Sequence, residues 1–363
     1  MDRLSRAILM VIGIISVFSA VVVRADSVFS PERQLLKITD GIYVIRHKDP
    51  FPGWVHGNTT VIIGERQVLV VDSCQTLSAA QEDIEQIRKW TNKPVAYLLN
   101  THWHQDHNGG NKAYLDAFPA ISIVAHPETR AMEDQTSPNL PAQMRKQAEE
   151  LQTMVHKRLE SGKGSDGQPL TEEKRTKAKE YLADTDALIE QANIFVYQPP
   201  TLLVDHDLSI DLGNRVVKVM HLGRGNTGGD MVAYLPQEQL LVAGDLVVHP
   251  IPYTFDGYPS EWIKTLENIA QLKPTTIVPG HGEILHDLSY IQLLSEMMKS
   301  VVAQVDAKIR ADRDIPLPDV QKSIDWKPFR ERFCGTDTSN CGFFDNSLGE
   351  KFVELVYHEA KAR

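Results

Sequence analysis

The chain has 363 residues, of which 42% are hydrophobic and 24% charged, so it is long enough to bury a sizeable core as a globular protein. Its formal net charge of -10 argues against a nucleic-acid partner, because phosphate contacts need clustered Lys and Arg. A small molecule remains the expected substrate. The sequence carries no signal for an oligomeric state.

The first 25 residues have the pattern of a secretory signal peptide. Arg3 and Arg6 precede an apolar run from Ala7 to Val23, and Val23 and Ala25 fit the small-residue site of signal peptidase. An uncleaved membrane anchor is the alternative, because a run of this length nearly spans a bilayer. No later stretch is apolar enough to span one. Cleavage after Ala25 therefore predicts a periplasmic or secreted protein without a membrane contact, and it makes the net charge more negative by two.

Short runs rich in Val and Ile alternate with helical patterns in the first half of the chain. Strands are predicted at Ile42–Arg46, Thr60–Ile63, Gln67–Val71, Val95–Asn100 and Ile121–Ala125, and a helix at Leu77–Trp90. The segment DPFPGWVHG at 49–57 joins the first two of these strands. Phe51 and Trp54 in this segment have two open interpretations, as ordinary packing residues or as a lid over an apolar substrate group.

Residues 130–194 are charge-rich and helical, and we interpret them as an inserted helical hairpin that restarts at Thr171. Strands resume after the insertion at Arg215–His221, Met231–Leu235, Leu240–Ala243 and Thr276–Val278. Ser260 is predicted to cap a helix that reaches Leu272. Further helices are predicted from Tyr290 to about Val305 and around Phe352–Val356. This order predicts an α/β catalytic domain at 30–290 and a helical C-terminal extension at 291–363.

Three cysteines occur in the sequence. Cys334 and Cys341 are seven residues apart in a loop-like stretch, and in an exported protein such a pair usually closes a disulfide. Cys74 follows a strand and is then left over. We expect it to be a free and partly buried thiol.

The segment NTHWHQDHNGG at 100–110 concentrates metal-binding side chains directly after a strand. His102 and His104 are two residues apart, and alternate side chains of an extended strand point the same way, so both imidazoles can reach one point. Asp106 and His107 follow the turn and can reach a second point close by. Zinc favours imidazole nitrogens and carboxylate oxygens as ligands. A polar loop with incidental histidines is the alternative.

The HWHQDH run resembles the H-x-H-x-D-H motif of the metallo-β-lactamase superfamily. Three later segments resemble further motifs of that family in the same order: GRGNTGGD, VAGDLV and VPGHG. The resemblance covers roughly residues 36–284, apart from the helical insertion. It implies a four-layer αββα sandwich, here with a helical insertion and a helical C-terminal extension, and a zinc-dependent hydrolase.

Carried over residue by residue, the resemblance implies two zinc sites. The first zinc ion would be held by His102 and His104. The second would be held by Asp106, His107 and His281. Asp245 would lie between the two ions or support one of them.

The chain departs from the family pattern at the third ligand of the first site, because GNT stands where G-H-T is usual. Asn226 therefore replaces a histidine, and an amide oxygen is a much weaker zinc ligand. Three arrangements are open. Asn226 would coordinate weakly or through water, or another histidine, His221 or His249, would take its place. In the third arrangement only the second site would be fully occupied. Ligand preference favours a weakened first site.

The implied reaction is hydrolysis. Zinc lowers the pKa of bound water to near neutrality, so that hydroxide is available to attack a carbonyl or phosphoryl centre. Asp106 would orient the nucleophile as well as bind metal. Export favours a β-lactamase-like attack on a carbonyl, with lactone, ester or sulfate-ester hydrolysis as the alternative. A non-catalytic exported metal-binding protein, with Asn226 marking a decayed site, is the alternative of another class.

Overall fold

The computed structural model describes residues 33–47, 55–164 and 167–363, which form two β-sheets packed face to face. Within these residues the first sheet has seven strands, β1 to β7 in order: Arg33–Thr39, Ile42–His47, Thr59–Ile63, Val68–Val71, Val95–Leu99, Ser122–Ala125 and Leu202–Leu203. The strands from β1 to β4 pair antiparallel, and those from β4 to β7 pair parallel.

The second sheet has five strands in the described part of the chain, β8 to β12: Leu208–Asp211, Val216–Met220, Val232–Leu235, Leu240–Val248 and Thr276–His281. They lie in the order β12-β11-β10-β9-β8. Only the pair β11 and β12 among these strands is parallel. Each sheet therefore contains parallel strands whose carboxyl ends can present polar side chains at one edge.

Helices cover the outer faces of both sheets. Those of the first half are α1 to α6: Leu77–Trp90, Gln105–Asn108, Asn111–Ala117, Pro127–Thr136, Leu140–Ser161 and Glu172–Ile194. Those of the second half are α7 to α12: Pro259–Gln271, Ser289–Ala311, Leu317–Ser323, Arg330–Cys334, Thr338–Phe344 and Val353–Ala362. A short 3-10 helix at Ser137–Asn139 precedes α5, and a π-helix at Asp345–Phe352 precedes α12.

The alternation of side chains along the strands explains the layers. Successive strand residues point to opposite faces, so Leu69 and Val71 of β4 enter the core between the sheets. Val68 and Val70 of the same strand pack beneath α1 and α3 instead. A third core lies outside the second sheet, where Trp262 of α7 packs with side chains of the C-terminal extension. The predicted αββα sandwich with its helical insertion and extension is confirmed.

Several predicted boundaries differ from the structure for identifiable reasons. β1 has a mixed, half-exposed sequence at a sheet edge and gave no strand pattern. β11 runs on from Ala243 to Val248, because all nine of its residues are buried, including the polar Asp245. The prediction that Ser260 caps a helix is wrong. The helix begins at Pro259, since a proline in the first turn has no N–H to leave unpaired.

Cys334 and Cys341 form a disulfide that joins α10 to α11. Cys74 is a free thiol, but it is fully buried rather than partly buried. No helix in the described ranges is long and apolar enough to cross a membrane. The predicted signal peptide at 1–25 lies outside the described residues, as do Phe51 and Trp54.

Candidate metal centre

The predicted ligands meet where the parallel strands of the two sheets end. β5 leads into the turn at 100–110, and β11 and β12 carry Asp245 and His281. The two sheets are tied together at this place, because Asn58 donates from its backbone N to Gly280 O at 2.7 Å and from Nδ2 to Pro279 O at 2.9 Å. A Cβ on Gly280 would lie 1.9 Å from Asp245 Oδ1, so only glycine allows this close approach.

Four side chains converge at the second predicted point: Asp106, His107, Asp245 and His281. His281 Nε2 lies 2.9 Å from Asp106 Oδ2 and 3.6 Å from Asp245 Oδ1. His107 Nε2 lies 3.2 Å from His281 Nε2 and 3.3 Å from Asp245 Oδ1. A tetrahedral zinc ion with bonds of about 2.1 Å holds its ligands about 3.4 Å apart, so the separations fit such an ion.

Asp72 determines which ring nitrogens face these points. His107 Nδ1 lies 2.7 Å from Asp72 Oδ2 and donates to it, so Nε2 is the ring nitrogen left to bind a metal ion. Thr101 Oγ1 donates to the same oxygen at 2.9 Å and accepts a hydrogen bond from His102 Nδ1 at 3.0 Å. His102 therefore keeps a lone pair on Nε2. A carboxylate behind a metal-binding histidine fixes the ring and raises its basicity. Sequence reasoning missed Asp72, although its position directly after a buried strand was a usable signal.

The donor set itself indicates a cation. His107 Nε2 lies 3.3 Å from Asp245 Oδ1, and this buried oxygen has no hydrogen-bond partner with full geometry among the described residues. A buried carboxylate oxygen opposite an imidazole nitrogen is unfavourable unless a cation lies between them, either a proton on the ring or a metal ion. A metal ion would accept both lone pairs in place of the proton, so the residues of the second point fit zinc.

His102 and His104 meet at the first predicted point. His102 Nε2 lies 2.9 Å from His104 Nδ1 and 3.8 Å from Asp245 Oδ2. Asp245 therefore turns one oxygen toward each point, as a residue between two ions should. On the outer side of the ring, His104 Nε2 lies 3.6 Å from Asp256 Oδ2, and this interaction lowers the pKa of Asp256.

Asn226 is fully buried, and neither Nδ2 nor Oδ1 of its side chain has a hydrogen-bond partner among the described residues. An unpaired buried amide costs about 1–3 kcal/mol, so this orphaned group fits a polar ligand or a metal ion beside it. His221 and His249 each keep one ring nitrogen that could bind a metal ion, so both stay alternatives to Asn226. His221 Nδ1 donates to Asp230 O at 2.9 Å, and the His249 ring packs edge-on against Tyr290 at 4.9 Å.

Charge balance sets the protonation of the ligands. Burial has the largest effect on His107 and lowers its pKa, but the nearby carboxylates, Asp106 first, together hold that pKa well above its ordinary value. Burial likewise raises the pKa of Asp106, and His107 and His281 outweigh it and keep that pKa well below its ordinary value. Burial and the neighbouring imidazoles hold the pKa of His102 well below its ordinary value. An ionised Asp106 and a neutral His102 are the forms that bind metal.

A separate buried group of metal-capable side chains contains His47, Cys74 and Asp83. Its carboxylate is already engaged, because Asp83 lies 3.0 Å from His47 Nε2 and accepts a hydrogen bond from Arg33 at 3.1 Å. His47 Nδ1 also donates to Gly57 O at 3.0 Å. We interpret this group as an ion-pair network that joins β2, α1 and the residues before β3.

Comparison with known proteins decides the family. A family model described as the metallo-beta-lactamase superfamily matches residues 52–281. The chain belongs to the metallo-β-lactamase superfamily. Members of this superfamily are metallo-hydrolases, and the two groups His102–His107–Asp245 and Asp106–His107–His281 are the places where this member could hold metal ions.

Individual relatives share only part of their length with this superfamily member. The type 2 metallo-beta-lactamase of Bacillus cereus is 31% identical over 94 residues, which are 24% of this chain and 37% of that protein. The linear primary-alkylsulfatase of a Pseudomonas species is 21% identical over 245 residues, which are 66% of this chain and 44% of that protein. The chain thus spans less than half of either relative.

Among solved structures, a metallo-beta-lactamase from Pontibacter korlensis superimposes with a TM-score of 0.53 at 17% identity. The superposition covers 74% of this chain and 99% of the other chain. At this identity the likeness shows the shared metallo-β-lactamase fold.

Proposed function

We propose that this chain is an exported zinc-dependent hydrolase that acts on a carbonyl group in the manner of a β-lactamase. The convergence of side-chain nitrogen and oxygen atoms on one point is the observation that carries the proposal, and these atoms belong to Asp106, His107, Asp245 and His281. Zinc at the two points would supply Lewis acidity and would bring the pKa of water close to neutrality.

Asp106 is the residue that we assign to orient the attacking water. Its Oδ2 lies 2.9 Å from His281 Nε2 and 3.4 Å from His107 Nε2, so this oxygen reaches the second point. The lowered pKa of Asp106 keeps its carboxylate ionised at neutral pH, where it can accept a proton or a hydrogen bond from the nucleophile. Asp72 supports this role indirectly, because it holds the rings of His107 and His102 in place.

The proposed location outside the cytoplasm rests on two features. Residues 1–25 have the pattern of a cleaved signal peptide. The disulfide between Cys334 and Cys341 supports the same location, because disulfides persist mainly in oxidising compartments. β-Lactams, lactones and esters are all encountered in the periplasm or outside the cell.

Sulfate-ester hydrolysis is the second candidate. It is favoured by the alkylsulfatase relative, whose similarity extends over 66% of this chain, against 24% for the Bacillus β-lactamase. Carbonyl and sulfate esters make the same demand on Asp106 for an oriented nucleophile, so the substrate screen has to separate them.

The test is a screen of zinc-loaded protein on nitrocefin, a lactone, p-nitrophenyl acetate and p-nitrophenyl sulfate, with zinc content measured in each preparation. We expect hydrolysis of at least one carbonyl substrate, and a loss of roughly 10²–10⁴ in kcat for Asp106→Asn. Asp205→Asn is the matched control, because Asp205 is exposed and away from the ligands. Hydrolysis of the sulfate alone would select the second candidate. Zinc-loaded protein that hydrolyses none of them would instead be a metal-binding protein without this activity.

A further inference from the structure

The loop at 249–258 forms one wall of the metal centre. It connects β11 to α7, and two of its residues flank the two predicted metal points. The ring of Tyr253 meets His281 edge-on, with centroids 4.9 Å apart. Asp256 lies at the other point, 3.6 Å from His104. The direction of the side chains in this loop therefore determines what a substrate meets beside the metal ions.

The C-terminal extension holds the middle of this loop through Ser347 in the π-helix. Thr254 Oγ1 donates to Ser347 O at 2.6 Å, and Ser347 Oγ donates to Pro252 O at 2.6 Å. Both hydroxyls are fully buried, so water cannot replace either hydrogen bond. The bonds lie on each side of Tyr253 and fix the backbone from which its ring projects. π-Helical turns recur at functional sites, which agrees with this placement.

Phe343 of α11 gives the same loop a second support. Its ring packs edge-on against Tyr253, with centroids 5.3 Å apart. This is a preferred geometry for aromatic pairs. The disulfide from Cys334 to Cys341 holds α11 against α10, so an oxidised extension presents Phe343 to Tyr253 and thereby to His281.

The loop also presents an aromatic side chain to solvent. Phe255 is 45% exposed and stands between Thr254, which faces the extension, and Asp256, which faces His104. Tyr253 and Phe255 therefore stand on either side of the buried Thr254 along the loop. An aromatic surface beside polar ligand groups is typical of a small-molecule site.

We propose that the C-terminal extension is part of the substrate site. Through Ser347 and Phe343 it positions Tyr253 and Phe255 as an apolar wall beside the metal points, and this wall selects substrates with an aromatic or alkyl group next to the scissile bond. The extension lies beyond residue 281, where the match to the family model ends. The proposal rests on the proposed function, because it requires zinc at the two points.

Two thiols test the wall without any turnover. Phenylmethanethiol and 2-mercaptoethanol both bind zinc as thiolates, so the difference in their affinities reports the contacts of the phenyl ring. Calorimetric titration of the zinc-loaded full chain should show phenylmethanethiol binding roughly tenfold more tightly. Thr254→Val and Ser347→Ala should reduce this preference severalfold with zinc content unchanged. Thr254→Ser keeps the hydroxyl and should retain the preference, which a general loss of stability would not predict.

Phe255→Ala is the variant least able to disturb folding, because the side chain is largely exposed, and it should also weaken the preference. Leu203→Ala is its matched control, since Leu203 is 46% exposed on the remote strand β7 and should have no effect. An unchanged preference in both Thr254→Val and Phe255→Ala would overturn the wall. Preferential binding of phenylmethanethiol by protein that hydrolyses no substrate would support the proposed apolar wall and contradict the proposed reaction. Protein that binds no zinc would contradict both the proposed wall and the proposed reaction.

Discussion

Asn226 is the residue at which the two metal points differ most. The second point has four converging ligands, whereas the first has His102, His104 and one oxygen of Asp245. Asn226 brings a buried, unpaired amide to the position where the family pattern has a third imidazole. An amide oxygen replaces the lone pair of an imidazole poorly, so the ligand field of the first point is weaker.

We therefore expect two zinc ions to bind with unequal affinity, the weaker one at the His102–His104 point. Asn226→His should tighten the weaker ion by roughly tenfold or more, because even indirect changes around a ligand alter metal affinity by about 10-fold to 100-fold. The measurement is a titration of metal-free protein against a competing chelator. His221→Ala and His249→Ala test the two alternatives to Asn226, and each should leave both affinities unchanged. Equal, tight affinities in the wild type would show that the first point is already complete.

At the scale of the element, α4 ties the helical insertion to the turn that carries the histidines. Asn108 Nδ2 donates to Trp103 O at 2.8 Å within this turn and to Glu133 Oε1 of α4 at 3.0 Å. Glu133 is fully buried. This burial raises the pKa of Glu133 to about 8 from an ordinary value of 4.5, against the opposing effects of Tyr197 and Arg130. The helix therefore carries a carboxyl group that is protonated at neutral pH in the folded protein.

This protonation makes stability depend on pH. Between pH 4.5 and about 8 the folded state binds a proton that the unfolded state releases, so the free energy of unfolding falls as pH rises through this window. Glu133→Gln should remove this contribution. Its Tm should be close to that of the wild type near the lower end of the window. At the upper end its Tm should be higher, because its free energy of unfolding exceeds that of the wild type by on the order of 3 kcal/mol.

Thermal unfolding from pH 5 to 8.5 measures the effect, as the difference in Tm between variant and wild type at each pH. Glu149→Gln on α5 is the control, because Glu149 is exposed on the same insertion and its replacement should leave the pH profile unchanged. A constant difference between Glu133→Gln and the wild type across the whole range would contradict the assignment.

At the scale of the whole molecule, both helical additions reach the metal centre of the sandwich. The insertion contacts the metal turn through Glu133 and through Met144, whose sulfur lies 3.9 Å from Gln105 Nε2. The extension contacts the opposite wall through Ser347 and Phe343. The site is therefore assembled from three parts of the chain, and one of them is closed by a disulfide.

Export should be visible in the mature protein. We expect the full chain, expressed in a bacterium, to be recovered outside the cytoplasm with Asp26 at its N-terminus, because Val23 and Ala25 fit signal peptidase. Alkylation under denaturing conditions should modify Cys74 alone before reduction and all three cysteines after it. N-terminal sequencing and mass spectrometry check both expectations. Val23→Arg should block cleavage. Recovery of the intact wild-type chain in the membrane fraction would instead favour an uncleaved membrane anchor.

The sequence by itself was sufficient for the layers of the fold and for the clustering of metal-capable side chains. His102, His104, Asp106 and His107 lie within one turn, so their spacing and the strand before them already encode their geometry. Val- and Ile-rich runs reveal burial locally, which is why most strands could be predicted. The charge-rich composition of 130–194 likewise marked the helical insertion.

Other features were decided only by the tertiary structure, because they depend on packing between distant parts of the chain. Thr254 and Ser347 are 93 residues apart, and no local pattern in either segment indicates that their hydroxyls meet. Asp72 orients His107 across 35 residues, and this required the parallel pairing of β4 with β5. Periodicity records which face of an element is buried, but the partner that covers this face is determined by the packing of the whole molecule.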